Sequence, residues 1–312
     1  MEKNSSAKFS FYYLLSLVAL LFTSISVGIV IFQTINKYVT DVLNQYSGTF
    51  SQDALKFAIS ALIIAAPIFF VTTRLIYKSL VNGNLDKDSA VRRWLTYFVL
   101  LVSAVVMIVW LITTINSYLN GELTLKAILK TITVLAIAAS IFSYYLYDIK
   151  REVVTDKKDK IVLSYFYATL VVVIGVFIWS LFIVESPTAT RNRIMDNNVL
   201  NNFDTINNAI NDYYYKYKKL PDDLEMLKDT QAYLTNSNLQ DPATKVRFDY
   251  KIKSGNEYEL CATFKASNKN QTDMSYVYLK DRWPHDAGYQ CLSQKVTDIK
   301  GAVENKAVNP IQ

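Results

Sequence analysis

The chain has few of the residues from which catalytic and metal sites are built. Its 312 residues contain one histidine, His285, and two cysteines, Cys261 and Cys291. Nucleophilic catalysis needs a nucleophile activated by a neighbouring base, and a lone histidine with two cysteines that are expected to be oxidised offers none. Two thiolates and one imidazole also leave a tetrahedral metal site incomplete. The sequence therefore predicts no enzyme activity, no cofactor and no metal ion.

Charged residues are nearly absent from five long runs in the first 184 residues. These apolar runs occupy 9–32, 57–73, 94–115, 128–147 and 161–184, and Lys130 is the one charged residue within them. A hydrocarbon core about 30 Å thick is crossed by about 20 helical residues. The first run has no small-residue cleavage site at its end and is too long for a signal-peptide core. We therefore predict five membrane spans, with Lys130 reaching outward from the edge of the fourth.

The shortage of ionisable groups in the spans also bears on function. Charged side chains are costly in lipid, so those that occur there commonly mark ion or proton pathways. The near absence of such groups favours a structural bundle or an anchor over a charge-coupled transporter. A pore for small uncharged solutes stays open as an alternative.

The distribution of basic residues predicts the orientation of the spans. Cytoplasmic loops carry an excess of lysine and arginine. Twelve basic residues lie before the first span and in the loops between spans two and three and between four and five: Lys3, Lys8, Arg74, Lys78, Lys87, Arg92, Arg93, Lys150, Arg151, Lys157, Lys158 and Lys160. Four at most lie in the other loops or at their edges: Lys37, Lys56, Lys126 and Lys130. We predict a cytoplasmic N-terminus and, because five is odd, a C-terminal domain outside.

The net charge of +6 is accounted for largely by these loops. No basic face with interleaved aromatic side chains is visible, so nucleic acid is not an expected partner.

Three short motifs mark the membrane half as similar to a known family. They are VRRWL at 91–95, NGEL at 120–123 and YYLYDIKR at 144–151. With them the segment 9–151 resembles a bacterial four-span membrane family that is catalogued only as a domain of unknown function. The resemblance implies an architecture and no activity.

The C-terminal half has the pattern of a small α+β domain. Apolar residues spaced by three and four form one stripe of an amphipathic helix: Val199, Phe203, Ile206, Ile210, Tyr213 and Tyr217. Its opposite, wet side carries Asn201, Asn202, Asn207, Asn208, Asn211 and Asp212. The stripe is at most three heptads long, which is short for a coiled coil. We therefore expect it to pack on the domain's own sheet rather than on a partner helix. A short second helix at 222–229 is expected to turn Leu224 and Leu227 inward.

Alternating residues at 246–253 and 257–264, separated by Ser254-Gly255-Asn256, predict a β-hairpin. The first strand is expected to turn Val246, Phe248, Tyr250 and Ile252 to one face. A third strand is predicted at 276–279, and 296–312 is expected to be a loose tail.

Both cysteines fall in the domain that is predicted to lie outside the membrane. An oxidising compartment makes a Cys261–Cys291 disulfide the expected state. His285, beside Trp283 and Pro284, is expected to be packed and hydrogen-bonded rather than a ligand or a base.

A second resemblance covers 188–292. The motifs DYY at 212–214, LP at 220–221, DPAT at 241–244 and FDY at 248–250 are similar to those of the periplasmic domains of type II secretion pseudopilins and type IV pilins. The motifs YELCA at 258–262 and WPHDAGYQC at 283–291 resemble bacterial membrane proteins that carry such a pilin-like domain. The family implies a long helix, here 161–217 with an interruption near Pro187, that packs on a hairpin.

The resemblance also suggests a calcium site. Major pseudopilins bind calcium with acidic groups after the strands, and Asp241 and Asp249 are the nearest candidates in this chain. Turn formation by Asp241-Pro242 is the alternative.

The sequence thus predicts an all-α membrane bundle followed by a pilin-like α+β domain outside the membrane. The expected divisions are a four-helix domain at 1–151, a fifth span at 152–187, the outer domain at 188–295 and a flexible tail at 296–312. The expected location is a bacterial cytoplasmic membrane. The expected role is non-enzymatic binding or scaffolding in the cell envelope, with the lipid bilayer and secretion- or pilus-type proteins as partners. A membrane sensor or a small-solute transporter with an external ligand-binding domain is the alternative.

Overall fold

The computed structural model describes residues 3–41, 49–83, 85, 89–151, 159–270 and 277–296, with the backbone alone for 3–7. The chain divides into two compact units, Met1–Val184 and Glu185–Gln312. Lys87, Lys157 and Lys158, which contribute to the predicted orientation, and most of the predicted tail lie outside the described residues.

The described residues of unit 1 form five long helices. They are α1 (Lys3–Tyr38), α2 (Gln52–Val81), α3 (Ala90–Leu119), α4 (Leu125–Lys150) and α5 (Lys160–Ile183). Each predicted run lies within one of them, except that the fifth run extends one residue further. By length and composition all five are able to cross a membrane. α2 continues through Pro67, which neighbouring helices in a bilayer make tolerable.

Side-chain caps define where several of these helices begin. The hydroxyl of Ser51 accepts the backbone N–H of Ala54 before α2, and that of Thr124 accepts the N–H of Ala127 before α4. Asp159 accepts the N–H of Ile161 at 2.8 Å before α5. These bonds satisfy amide groups that have no partner within the helix.

The helices pack as an up-and-down bundle in which α1 lies along α2, α3 lies along α4, and α5 contacts α1, α2 and α4. The larger buried core among the described residues of unit 1 joins α1, α2 and α5 through Val27, Val30, Leu55, Leu62 and Val173. Large apolar side chains also cover the outside, such as Val171 and Phe182, which are 69% and 78% exposed. Helices that are apolar all round are typical of membrane spans.

Unit 2 begins where the chain leaves α5. The side chain of Ser186 caps α6 (Pro187–Tyr217), and Pro187 occupies its first turn, where a missing amide hydrogen costs no hydrogen bond. The expected interruption near Pro187 is therefore present.

The remaining elements of unit 2 are short. α7 (Glu225–Thr230) and a 3-10 turn (Asn236–Leu239) precede β1 (Asp249–Ser254) and β2 (Glu257–Phe264). α8 (Val277–Arg282) and β3 (Gly288–Lys295) follow. The strands form an antiparallel sheet in the order β1-β2-β3.

The apolar stripe of α6 is buried in unit 2 much as its spacing predicts. Phe203, Ile206 and Ile210 are fully buried in one core with Tyr258 and Leu260 of β2. Leu224 and Leu227 are buried as expected.

Two assignments on α6 were wrong. Tyr217 is 43% exposed, at the last residue of α6. Asn207, assigned to the wet side, is 3% exposed. Its Oδ1 accepts the hydroxyl of Tyr258 at 2.6 Å, so the core holds a satisfied polar pair at this point.

The sheet differs from the prediction in three respects, and one residue of the predicted tail also lies elsewhere than expected. Val246 and Ile252 are 65% and 48% exposed, because Val246 precedes β1 and Ile252 lies beside a register shift on this edge strand. The predicted strand at 276–279 is α8 from Val277 onward, and Tyr276 lies outside the described residues. The third strand is β3, which pairs along the whole of β2. Val296, assigned to the loose tail, is buried and donates its N–H to the oxygen of Asn256 at 2.9 Å.

Candidate functional site

A cluster of ionised side chains lies at one end of the unit 1 bundle. We call this end of the bundle the basic end. The helices α2 and α4 end there, and α3 and α5 begin there. Arg92 Nη2 donates to Asp148 Oδ2 at 2.7 Å and to the Asp148 backbone oxygen at 2.9 Å. Arg151 Nη2 lies 3.1 Å from Asp148 Oδ1, and its Nη1 lies 3.6 Å from Asp159 Oδ2. The hydroxyl of Tyr147 donates to Asp159 at 2.8 Å.

The cluster joins α3, α4 and the cap of α5. The side chains of Arg92 and Arg151 are only 4% and 6% exposed, and removing one partner of such a buried pair costs about 3–5 kcal/mol. Each carboxylate is already bonded to cationic or hydroxyl groups, so the arrangement is suited to holding α3, α4 and the start of α5 together. We call it the clamp. The sequence-based prediction used these arginines only to orient the spans and missed the ion pairs. Asp148, a lone acidic residue in the basic-aromatic motif at 144–151, could have indicated them.

A small pocket, which we call the chamber, lies beside this clamp. Its volume is about 50 Å³, and its lining combines polar residues such as Tyr13, Ser16 and Asp148 with apolar ones such as Leu17 and Leu95. The hydroxyl of Tyr13 is buried and has no hydrogen-bond partner among the described residues. A space of this size with several polar groups in its wall can hold water, which would satisfy that hydroxyl.

A larger groove opens between α2, α4 and α5 at the same end. Its volume is about 810 Å³. Thr73, Tyr77, Tyr144 and Tyr145 line both the groove and the chamber. The two spaces therefore adjoin, with the tyrosine rings between them.

Aromatic contacts fix the walls of the groove. The rings of Phe70 and Phe166 meet edge to face with centroids 5.4 Å apart, and those of Tyr144 and Tyr165 with centroids 5.7 Å apart. The hydroxyl of Tyr165 also donates to Ser143 at 3.2 Å. The wall is thus shaped by side chains that hold one another in place.

The rim of the groove carries two cationic groups. Arg74 and Lys78 line it and are exposed. Within the described ranges neither forms an ion pair with a carboxylate. Tyr77 lies between them in sequence, and its hydroxyl oxygen accepts the backbone N–H of Asp159 at 2.9 Å, which leaves the hydroxyl proton able to reach an acceptor in the groove.

His285 of unit 2 lies in a packed, hydrogen-bonded position, as the sequence predicted. It is 2% exposed and stacks on Phe264 with ring centroids 3.8 Å apart. Its backbone N–H donates to Asn268 Oδ1 at 2.9 Å, and its Nδ1 lies 3.3 Å from the backbone oxygen of Asp286. Burial lowers the pKa of the imidazole below its ordinary value, so the ring is neutral at pH 7.

Asp196 of α6 is a buried carboxylate that the sequence did not single out. It accepts the backbone N–H groups of Lys265 and Ala266 at 2.9–3.0 Å. Burial raises its pKa, although these hydrogen bonds act in the opposite direction. The carboxylate fixes the chain leaving β2 against α6, which is a positioning role.

The two cysteines lie directly opposite each other on β2 and β3. Cys261 and Cys291 are register partners, and their Sγ atoms lie 2.08 Å apart, at disulfide distance. The disulfide links β2, the central strand, to β3, which the sequence did not predict.

The suggested calcium ligands are otherwise engaged. Asp241 accepts the backbone N–H groups of Ala243 and Thr244 at 2.7 and 3.0 Å, which is the turn expected as the alternative. Asp249 accepts the hydroxyl of Tyr289 at 2.6 Å. In the described part of the chain, no three His, Cys, Asp or Glu side chains come together as a metal site.

Comparison with known proteins identifies part of unit 1 only. Residues 10–145 match the model of DUF5671, a domain of unknown function. This confirms the expected resemblance of the N-terminal half to a domain of unknown function. No curated protein and no solved structure matches the chain. The likeness of 188–292 to pilin domains stays a prediction from its motifs.

Proposed function

We propose that this protein is a membrane-anchored binding module. Its five helices span a bacterial cytoplasmic membrane, and unit 2 binds a partner protein in the cell envelope without catalysing a reaction. The observation that carries this proposal is that unit 2 uses the apolar stripe of α6 in its own core. A partner would therefore bind an exposed surface instead, and the candidate is a patch of aromatic and basic residues where α6 ends.

We call this surface the Tyr-Lys patch; it consists of Tyr215, Lys216, Tyr217, Lys218 and Lys219, a short basic and aromatic run that the sequence-based prediction did not recognise. All five residues are exposed. Lys216 Nζ lies 5.1 Å from the centroid of the Tyr217 ring, and Lys218 Nζ lies 5.1 Å from that of Tyr215. These cation–π contacts hold the rings at the surface.

The composition of the patch indicates the chemistry of the partner. Tyrosine is enriched at protein interfaces, where its ring supplies buried area and its hydroxyl a hydrogen bond. Three lysines within four residues favour an acidic surface, because complementary charge speeds encounter and fixes orientation. The long helix against a small antiparallel sheet supports the pilin-like assembly partners that the motifs of 188–292 imply.

Photocrosslinking in intact membranes tests the proposal. A photoreactive residue in place of Tyr215 is expected to give one discrete adduct, and the same residue in place of Thr263 on β2, also exposed, is the control. The K216E/K219E variant is expected to abolish the adduct, since it reverses the charge of the patch. Equal adducts from both positions, or catalytic turnover that His285→Ala abolishes, would contradict the proposal.

A small-solute transporter or sensor is the second candidate, and the chamber with its adjoining groove favours it. Toward the other end of α2, however, Val30, Leu55 and Ala58 are buried in a packed apolar core, which argues against a continuous pathway. If the chamber is part of a pathway, Ser16→Trp should block it. Solute passage through reconstituted vesicles that this variant stops would favour the transporter; no passage would favour the binding module.

A further inference from the structure

We propose that the groove at the basic end binds one anionic phospholipid from the surrounding bilayer. Its phosphate would lie against Arg74 and Lys78, and an acyl chain would run along the apolar wall formed by α4 and α5. This site is separate from the Tyr-Lys patch and goes beyond the proposed binding module.

The charge of the rim is the first reason. Arg74 and Lys78 are four residues apart on α2, so they share one helix face. Both line the groove and are exposed, and neither has an acidic partner in the described ranges. Arginine and lysine are the side chains that bind phosphate oxygens with charge-assisted hydrogen bonds. The hydroxyl of Tyr77, which also lines the groove, adds a donor at the same level.

The polarity of the groove changes along the helix axes, which is the second reason. On α2, Phe70 and Phe69 line the groove inward of the two cations, about one turn from Arg74. α5 contributes Phe166 and Leu170, and α4 contributes Ile141 to the same apolar depth. A site that is cationic at the end of a bundle and apolar toward its middle matches a molecule with an anionic head and a hydrocarbon chain.

Size and access are the third reason. A volume of about 810 Å³ lies within the range of specific ligand sites, about 300–1,000 Å³. Val71 and Tyr167 at its margins are 58% and 59% exposed, so the groove opens sideways. A lipid can enter from the bilayer, whereas a free phosphate would leave the apolar wall without a partner.

The predicted orientation agrees with this occupant. The basic end is the predicted cytoplasmic end, and the cytoplasmic leaflet is rich in anionic lipids that attract lysine and arginine. A general attraction of this kind would apply equally to Arg93 and Lys150, which are exposed near the same end and do not line the groove. These two residues therefore provide the matched control.

Native mass spectrometry of the full-length protein tests the site. The protein is equilibrated in detergent with equal amounts of phosphatidylglycerol and phosphatidylcholine of the same acyl chains. We expect one retained phosphatidylglycerol per chain. The R74Q/K78Q variant should lower its preference over phosphatidylcholine by about thirtyfold, as expected for two cations near a headgroup. The R93Q/K150Q variant removes the same charge and should leave the preference unchanged.

A second variant tests the apolar wall. Thr169 lines the groove and is exposed, so Thr169→Trp should fold and should reduce retention of both lipids. An equal loss in the two double variants would overturn the proposal in favour of general surface charge. Displacement of the lipid by an equal concentration of glycerol phosphate would overturn it in favour of a free phosphate ligand, and the absence of any headgroup preference would overturn it outright.

Discussion

The fold of unit 2 depends most directly on the buried stripe of α6, and replacing Ile206 and Ile210 by alanine tests this. Both side chains are 0% exposed, and both belong to the core that includes Phe203, Tyr258 and Leu260. The substitution shortens two neighbouring side chains on one helix face and introduces no polar group.

The expected loss of stability is large for a domain of this size. Replacing a fully buried isoleucine by alanine costs about 2–5 kcal/mol, which combines lost transfer energy with the cavity left behind. The two sites are one turn apart, so the costs need not add in full. Even about 4 kcal/mol is a large part of the 5–15 kcal/mol that typically holds a domain folded.

Protease resistance of unit 2 in membranes is the suitable assay, because the bundle can be followed separately in the same sample. We expect the double variant to be cleaved within unit 2 while unit 1 stays intact. Ile194→Ala on the same helix is the control; Ile194 is 48% exposed and should cost no more than about 0.5 kcal/mol. Unchanged resistance in the double variant would refute the packing of the stripe.

Three further predictions concern unit 2. Cys291→Ser is expected to destabilise the unit by about 3–4 kcal/mol in denaturant unfolding, because the bond to Cys261 closes a loop of about 30 residues. Wild-type thiols that react with an alkylating agent before reduction would contradict the disulfide. Tyr258→Phe leaves the buried Asn207 oxygen without its donor and should cost about 1–3 kcal/mol; a neutral result would argue against that hydrogen bond. Because the pKa of His285 is lowered in the fold, the unfolded chain binds its proton more readily, so this residue should make unit 2 less stable as the pH falls from 7 toward the lowered pKa. Thermal unfolding at pH 7.5 and 5.5 should show this difference, and His285→Phe should reduce it.

Much of the fold could be predicted from the sequence because its strongest signals are local. An uncharged run of about 20 residues has few alternatives to a long apolar helix, and all five runs are helical. The break before Pro187 and the stripe of α6 follow from equally local rules.

The errors occurred where the decision depends on contacts distant in sequence. The third strand is β3 because it pairs with β2 across the disulfide, and no periodicity within 276–279 could reveal that α8 forms there instead. Asn207 is polar, so its burial is understandable only once the Tyr258 hydroxyl is placed against it.

The groove was beyond sequence reasoning for the same reason. Arg74 and Phe166 lie 92 positions apart in the chain and come together only through the packing of α2 against α5. In the sequence, Arg74 and Lys78 served only to predict the orientation in the membrane. The structure places them on the rim of an apolar groove.

The central claim is that five spans carry unit 2 across the membrane. Single cysteines replace three exposed residues: Asn120 between α3 and α4, Lys150 where α4 ends, and Lys251 on β1. A membrane-impermeant thiol reagent applied to intact cells should label the positions 120 and 251, and should label 150 only after permeabilisation. Labelling of 150 in intact cells with protection of 120 and 251 would contradict the account.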